Sequence, residues 1–176
     1  MSVLEEILAH KREETAIRKT ELPISTMRSA AERTEPALDF VGALRGAPER
    51  PALIAEIKRR SPSRGALAPA LDPQMQAGLY RSNGATCISV LTDLRYFGGT
   101  LEDLIAVKHA VRGIPILRKD FLCEPYQVYE ARASGADAIL LIAAGLELAM
   151  LRDLASLADE LGMCPLIEVH SAAELE

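Results

Sequence analysis

Ala52-Leu53-Ile54-Ala55-Glu56-Ile57-Lys58-Arg59-Arg60-Ser61-Pro62-Ser63 turns abruptly from an apolar run into charge. Residues 52–57 read as a buried strand, and side chains two apart on a strand share a face, so Glu56 and Lys58 project together. An ion pair snorkelling at a strand end is the plain alternative. Two later apolar runs finish in the same manner, at Lys119 and at Glu168.

Working outward, the chain beyond this run alternates strand and helix signals. Asp72-Pro73 reads as an N-cap followed by proline at the first helical position, and that helix stops at Asn83-Gly84. Strand patterns over 86–92, 114–119, 137–142 and 165–169 alternate with helical patterns over 101–111, 125–134 and 147–161. Pro115 is tolerated at the start of its strand. An internal echo supports the repeat: Ser82-Asn83-Gly84-Ala85-Thr86-Cys87-Ile88 resembles Ala133-Ser134-Gly135-Ala136-Asp137-Ala138-Ile139. Short, nearly all-apolar strands separated by helices call for a parallel sheet buried on both faces. The expected fold is α/β, a (β/α)8 TIM barrel truncated to about five βα units. Ahead of it, helical patterns over 2–19, 25–33 and 37–44 make residues 1–50 a helical extension, with the partial barrel over 51–176. That extension would cover one end of the barrel or act as a lid. Ser171 and Glu174 make a capping box that opens a further helix close to the last residue, so the expectation is the N-terminal part of a longer enzyme.

Composition narrows the function. The 176 residues are 49% hydrophobic with a net charge of -5, enough for one sizeable core and unfavourable for a nucleic-acid surface. The basic run Lys58, Arg59, Arg60, Arg64 would suit a small anion. The longest uncharged apolar stretch, 138–146, is too short to span a bilayer, and Glu5 and Glu6 stand where a signal peptide needs basic residues, so a cytoplasmic location is expected. Cys87, Cys123 and Cys164 read as reduced core residues; His10, His109 and His170 are too scattered for a metal site.

Lys58, Lys119 and Glu168 fall on the first, third and fifth strands, and alternate strands of such a barrel build one layer. Val90 and Leu141 are taken as the corresponding apolar positions on the strands between them. Charge at the C-terminal strand ends is where barrel active sites lie, and two lysines with two carboxylates there would perturb one another's ionisation. A lysine could serve as general acid and Glu168 as general base. An ion-pair network closing the barrel end is the structural alternative.

Four motifs, Glu56-Ile57-Lys58-Arg59-Arg60-Ser61-Pro62-Ser63, Leu91-Thr92-Asp93 with Tyr96-Phe97-Gly98-Gly99, Leu117-Arg118-Lys119-Asp120-Phe121 and Leu166-Ile167-Glu168-Val169-His170, closely resemble indole-3-glycerol-phosphate synthase. The resemblance runs in order along the chain. It implies a lyase of tryptophan biosynthesis that decarboxylates and cyclises 1-(2-carboxyphenylamino)-1-deoxyribulose 5-phosphate to indole-3-glycerol phosphate, without metal or organic cofactor. Carried over on these motifs, Lys119 looks like the general acid assisting carbonyl attack, and Glu168 like the acid or base of the later dehydration. Lys58 would hold substrate charge, Glu56 would orient the lysines and substrate hydroxyls, and Ser61 would position substrate near the first loop. Phe97 and Phe121 resemble the aromatic wall around the anthranilate ring. The family's sixth-strand asparagine motif and its glycine-serine phosphate loops have no counterpart in these 176 residues, so weak or absent turnover is expected of the chain alone. Two other classes stay open: a Schiff-base aldolase barrel, and a non-catalytic half-barrel that self-associates through open edges.

Overall fold

Ser2, at the head of the first helical pattern, accepts a hydrogen bond from the Glu5 N–H while the Glu5 carboxylate reaches back to the Ser2 N–H. In this computed structural model, which describes residues 2–48 and 51–175, that box opens α1 (Val3–Glu21). α2 (Ile24–Arg33) and α3 (Phe40–Gly46) follow, then β1 (Ile54–Ile57) and a small antiparallel hairpin of β2 (Arg60–Ser61) and β3 (Gly65–Ala66). Next come α4 (Pro73–Ser82), β4 (Cys87–Leu91), α5 (Leu94–Phe97), α6 (Leu101–Ala110), β5 (Ile116–Lys119), α7 (Pro125–Ala133), β6 (Ala138–Ile142), α8 (Leu148–Glu160) and β7 (Cys164–Glu168). Glu49 and Arg50, at the expected boundary between extension and barrel, lie outside the described residues. The hairpin and the short α5 are additions to the sequence reading. At Ser171 and Glu174 the expected capping box does not form: Ser171 Oγ donates to the Glu174 carboxylate at 2.9 Å, the other carboxylate oxygen accepts the His170 N–H at 2.9 Å, and the segment that follows is a single 3-10 turn over Ala172–Glu174.

The five long strands lie in the order β1-β4-β5-β6-β7, and every neighbouring pair is parallel. Consecutive parallel strands linked by helices form an α/β sheet that carries five of the units of a (β/α)8 barrel. The local chemistry explains the joints. Asp72 caps α4, accepting from the N–H groups of Gln74 and Met75 at 2.9 and 3.0 Å. In the two echoed turns Gly84 and Gly135 take φ of +83° and +89°, a conformation in which a side chain is strained.

Two apolar clusters divide the sheet. Ile57, Ile88, Val90, Ile116, Ile139 and Leu141 pack against the helices through Leu104, Val107, Val111, Val128 and Leu154. Each such fully buried aliphatic contributes about 1.5–3 kcal/mol of transfer free energy. The alternate residues Cys87, Leu117, Ala138 and Leu140 form the other face, where Phe40, Ala43 and Leu44 of α3 join Ile54, Cys164 and Leu166 near the strand starts. This division corrects one expectation. Val90 and Leu141 belong to the helix-facing layer, so the residues sharing the face of Glu56 and Lys119 are Ser89 and Leu91 on β4 and Leu140 and Ile142 on β6. The register pairs Glu56 with Ser89, Leu91 with Lys119 and Ile142 with Glu168.

The helical extension covers both ends. α3 lies beneath the strand starts through Phe40, while α1 lies over the strand ends, where Lys11 reaches Asp93 and Asp120. Only part of the apolar pattern assigned to α1 faces inward: Ile7 and Leu8 are buried, but Val3 and Ile17 are 59% and 61% exposed. Among the described residues β1 and β7 each pair on one side only, and Leu53 and Ile167 beside those edges are exposed. No helix among the described residues is long and apolar enough to cross a membrane.

Candidate active site

Alternation along β1 turns Ile54 and Glu56 toward the inner face, and Lys58, just past the last residue of the strand, continues the series. Lys119, the last residue of β5, arrives from two strands away. The Glu56 carboxylate joins the two: Oε1 accepts from Lys58 Nζ at 2.5 Å, and Oε2 lies 2.9 Å from Lys119 Nζ. All three side chains keep about a third of their surface open (31%, 28% and 35% for Lys58, Glu56 and Lys119). Burial by itself would raise the Glu56 pKa, but the hydrogen bonds from Lys58 and Lys119 outweigh it and hold the carboxyl below its ordinary value. Glu56 is thus an ionised anchor that fixes the direction of two ammonium groups.

Glu168, the last residue of β7, does not enter this cluster by direct contact; its Oε1 lies 3.1 Å from His170 Nε2. It shares with Lys58 the wall of a cavity of about 620 Å³ at the strand ends. Ser61 and Arg64 line that cavity from the hairpin, and Phe97 and Phe121 line it after β4 and β5 with ring centroids 5.8 Å apart, tilted by 34°. Leu4 and Ile7 of α1 complete the apolar side. A half-apolar hollow with an aromatic pair and converging ammonium and carboxylate groups suits a small anionic molecule with a planar ring.

The basic run divides. Lys58 and Arg64 face the hollow, whereas Arg59 is committed to structure: Nη2 donates to Asp103 at 3.0 Å, Nη1 to the Gly98 carbonyl at 2.9 Å, and Nε to the Leu71 carbonyl at 3.1 Å. Arg59 therefore pins the turn that follows Phe97 and is taken up by Asp103, not by a bound anion.

Sequence reasoning passed over the charged groups behind the site. Lys11 is 1% exposed and lies 3.0 Å from both Asp93 and Asp120 and 2.9 Å from Glu14. Arg118, fully buried behind Lys119, donates to Asp120 (3.0 Å), Glu130 (2.9 Å), the Gln127 carbonyl (3.0 Å) and the Thr92 hydroxyl (3.2 Å). Burial opposes the charge of Lys11, Arg118 and Asp120, but their mutual attraction prevails, raising the two cations and depressing Asp120 well below its ordinary range. One signal was available: Lys11 stands four residues after Ile7, on the buried stripe of the helix, where a charge needs a partner.

The indole-3-glycerol phosphate synthase family model matches residues 4–176. Proteins described as indole-3-glycerol phosphate synthase in Laribacter hongkongensis and Azoarcus sp. are 48% and 51% identical over 176 residues, covering 99% of this chain and 66% of each relative. One in Kineococcus radiotolerans is 51% identical over 178 residues, covering 99% of this chain and 65% of its own length. The chain thus spans just under two thirds of the length of the curated relatives it matches. With the family model matched over residues 4–176 and about half of the residues identical to these relatives over 99% of the chain, one assignment follows: this chain belongs to the indole-3-glycerol phosphate synthase family.

Proposed function

We propose that the protein carrying this chain is an indole-3-glycerol-phosphate synthase, a carbon-carbon lyase of tryptophan biosynthesis. Its substrate would be 1-(2-carboxyphenylamino)-1-deoxyribulose 5-phosphate, closed to indole-3-glycerol phosphate with loss of carbon dioxide and water. The observation that carries this reading is one carboxylate, Glu56, pairing Lys119 with Lys58, which lines a hollow walled by Phe97 and Phe121.

On this reading the anthranilate ring lies against the two phenylalanines, and Lys58 meets the substrate's negative charge. Lys119 donates a proton to the carbonyl oxygen as the ring carbon attacks, since an oriented ammonium stabilises the developing oxyanion. Glu168, with His170 against it, serves the proton transfers of dehydration, and Ser61 orients the sugar chain. The ion pair to Glu56 favours acid catalysis over the aldolase alternative, because a Schiff base requires a free amine.

Lys119→Met in the full-length protein should lower turnover by about 100- to 10,000-fold, the usual range for a lost general acid. Turnover within tenfold of the parent would refute the assignment of Lys119. Borohydride trapping of Lys119 by a keto-sugar phosphate would favour the aldolase. For the 176-residue chain alone, we expect weak or no turnover and self-association through the one-sided edges of β1 and β7; light scattering that returns a monomer would contradict the latter. A cytoplasmic location fits this reading.

A further inference from the structure

The charged groups behind the site close into a ring of alternating sign. Lys11 meets Asp120 (3.0 Å), Asp120 meets Arg118 (3.0 Å), Arg118 meets Glu130 (2.9 Å), Glu130 meets Arg18 (2.9 Å), Arg18 meets Glu14, and Glu14 returns to Lys11 (2.9 Å). Three elements that are distant in sequence, α1, β5 with its following loop, and α7, are thereby joined. A fourth is added by Asp93, whose second oxygen accepts the Tyr96 N–H at 2.6 Å and so caps α5, the helix that ends on Phe97.

Lys11 stands where these connections cross. Asp120 is the residue between Lys119 and Phe121, and its Oδ1 also accepts the Phe121 N–H at 2.8 Å. The same helix that carries Lys11 presents Leu4 and Ile7 to the hollow. A single buried ammonium therefore fixes the aliphatic wall against both halves of the aromatic wall. We propose that Lys11 is a positioning residue for ligand binding, setting the gap between the Leu4/Ile7 wall and the Phe97/Phe121 pair without touching the ligand itself. This deepens the proposed function by adding a residue that governs occupancy of the hollow.

The test is Lys11→Met, an unbranched side chain one atom shorter that removes the charge, with Asp93→Asn as a milder second variant. Asparagine retains the cap on α5 while deleting one of the three anions that hold Lys11. Hydrogen exchange on the full-length protein should show amides of α1 and of residues 93–99 and 120–123 exchanging at least tenfold faster, with those of β4 and β5 unchanged. In the full-length protein KM should rise at least tenfold with kcat within threefold, and Asp93→Asn should shift both readouts the same way by less. Unchanged exchange in α1, or acceleration spread evenly over the sheet, would overturn the proposal whether or not the synthase reading stands. A fall in kcat at constant KM would overturn it too. Absence of turnover in the parent protein would sink the synthase reading and leave the exchange test intact. Should Lys11→Met not fold, unaltered exchange and KM in Asp93→Asn would be decisive against it.

Discussion

Replacing Arg118 with methionine removes the cation at the centre of the buried cluster while roughly conserving the volume of the side chain. In the parent, four hydrogen bonds at 2.9–3.2 Å satisfy the guanidinium, two of them to carboxylates. Breaking a buried ion pair by deleting one partner typically costs about 3–5 kcal/mol, because a desolvated charge is left behind. Two features place this site toward the lower end. Asp120 retains Lys11, and Glu130 retains the partly exposed Arg18, so neither anion is fully orphaned. The expected loss is therefore about 3 kcal/mol, a large part of the 5–15 kcal/mol that holds a typical domain together. At about 2–4 °C per kcal/mol for a chain of this size, the midpoint of thermal unfolding should drop by about 6–12 °C. Urea unfolding followed by circular dichroism gives the free energy directly. The pH dependence supplies a second signature. Asp120 has a folded pKa depressed from its ordinary 3.8, so its stabilisation is present above that value and is lost as the pH falls below it. Without Arg118 the depression shrinks, and stability should fall less steeply between about pH 4 and pH 2. A loss below 1 kcal/mol with an unchanged acid limb would refute the view that this cluster holds the fold together.

Gly99→Ala should cost about 1–3 kcal/mol and disturb the loop after Phe97, because an added Cβ would stand 1.9 Å from the Leu91 carbonyl oxygen; Gly46→Ala, with nothing within 4 Å, should be harmless or mildly stabilising, and thermal melts of both variants compare them. The Cys87 thiol, fully buried and pushed up to about 11, should resist iodoacetamide at pH 7.5 in the native chain and react once urea is added, as mass spectrometry would reveal. Glu56→Gln replaces two charge-assisted hydrogen bonds by an amide that can accept from only one lysine, and in the full-length protein kcat/KM should fall by about 30- to 150-fold, or 2–3 kcal/mol. Steady-state kinetics with a fall of less than threefold would remove Glu56 from the machinery.

Much of the architecture was written locally. Apolar runs of strand length, the cap at Asp72 and the glycines at 84 and 135 act over a few residues, so they fix the alternation of strand and helix whatever the remainder of the chain does. The same local periodicity placed charge at the ends of β1, β5 and β7. It also made Glu56 and Lys58 neighbours on one face, and they form an ion pair.

Contacts between strands were another matter, because a period of two assigns faces within a strand and says nothing about which face the next strand turns inward. Val90 and Leu141 were placed beside the charged residues for that reason, and only the register moved them to the helix layer. The pairing of Lys119 with Glu56 spans 63 residues of sequence, while Glu168, two strands beyond Lys119, meets His170 instead. Lys11 carried an ordinary surface charge in the sequence and became buried once α1 lay across the loops bearing Asp93 and Asp120. Sequence by itself determined where charge would stand along each strand, through hydrogen bonds and side-chain alternation a few residues long. Tertiary structure alone decided which charges touch and which are desolvated, because Coulomb attraction and burial depend on distances through space that the folded sheet sets.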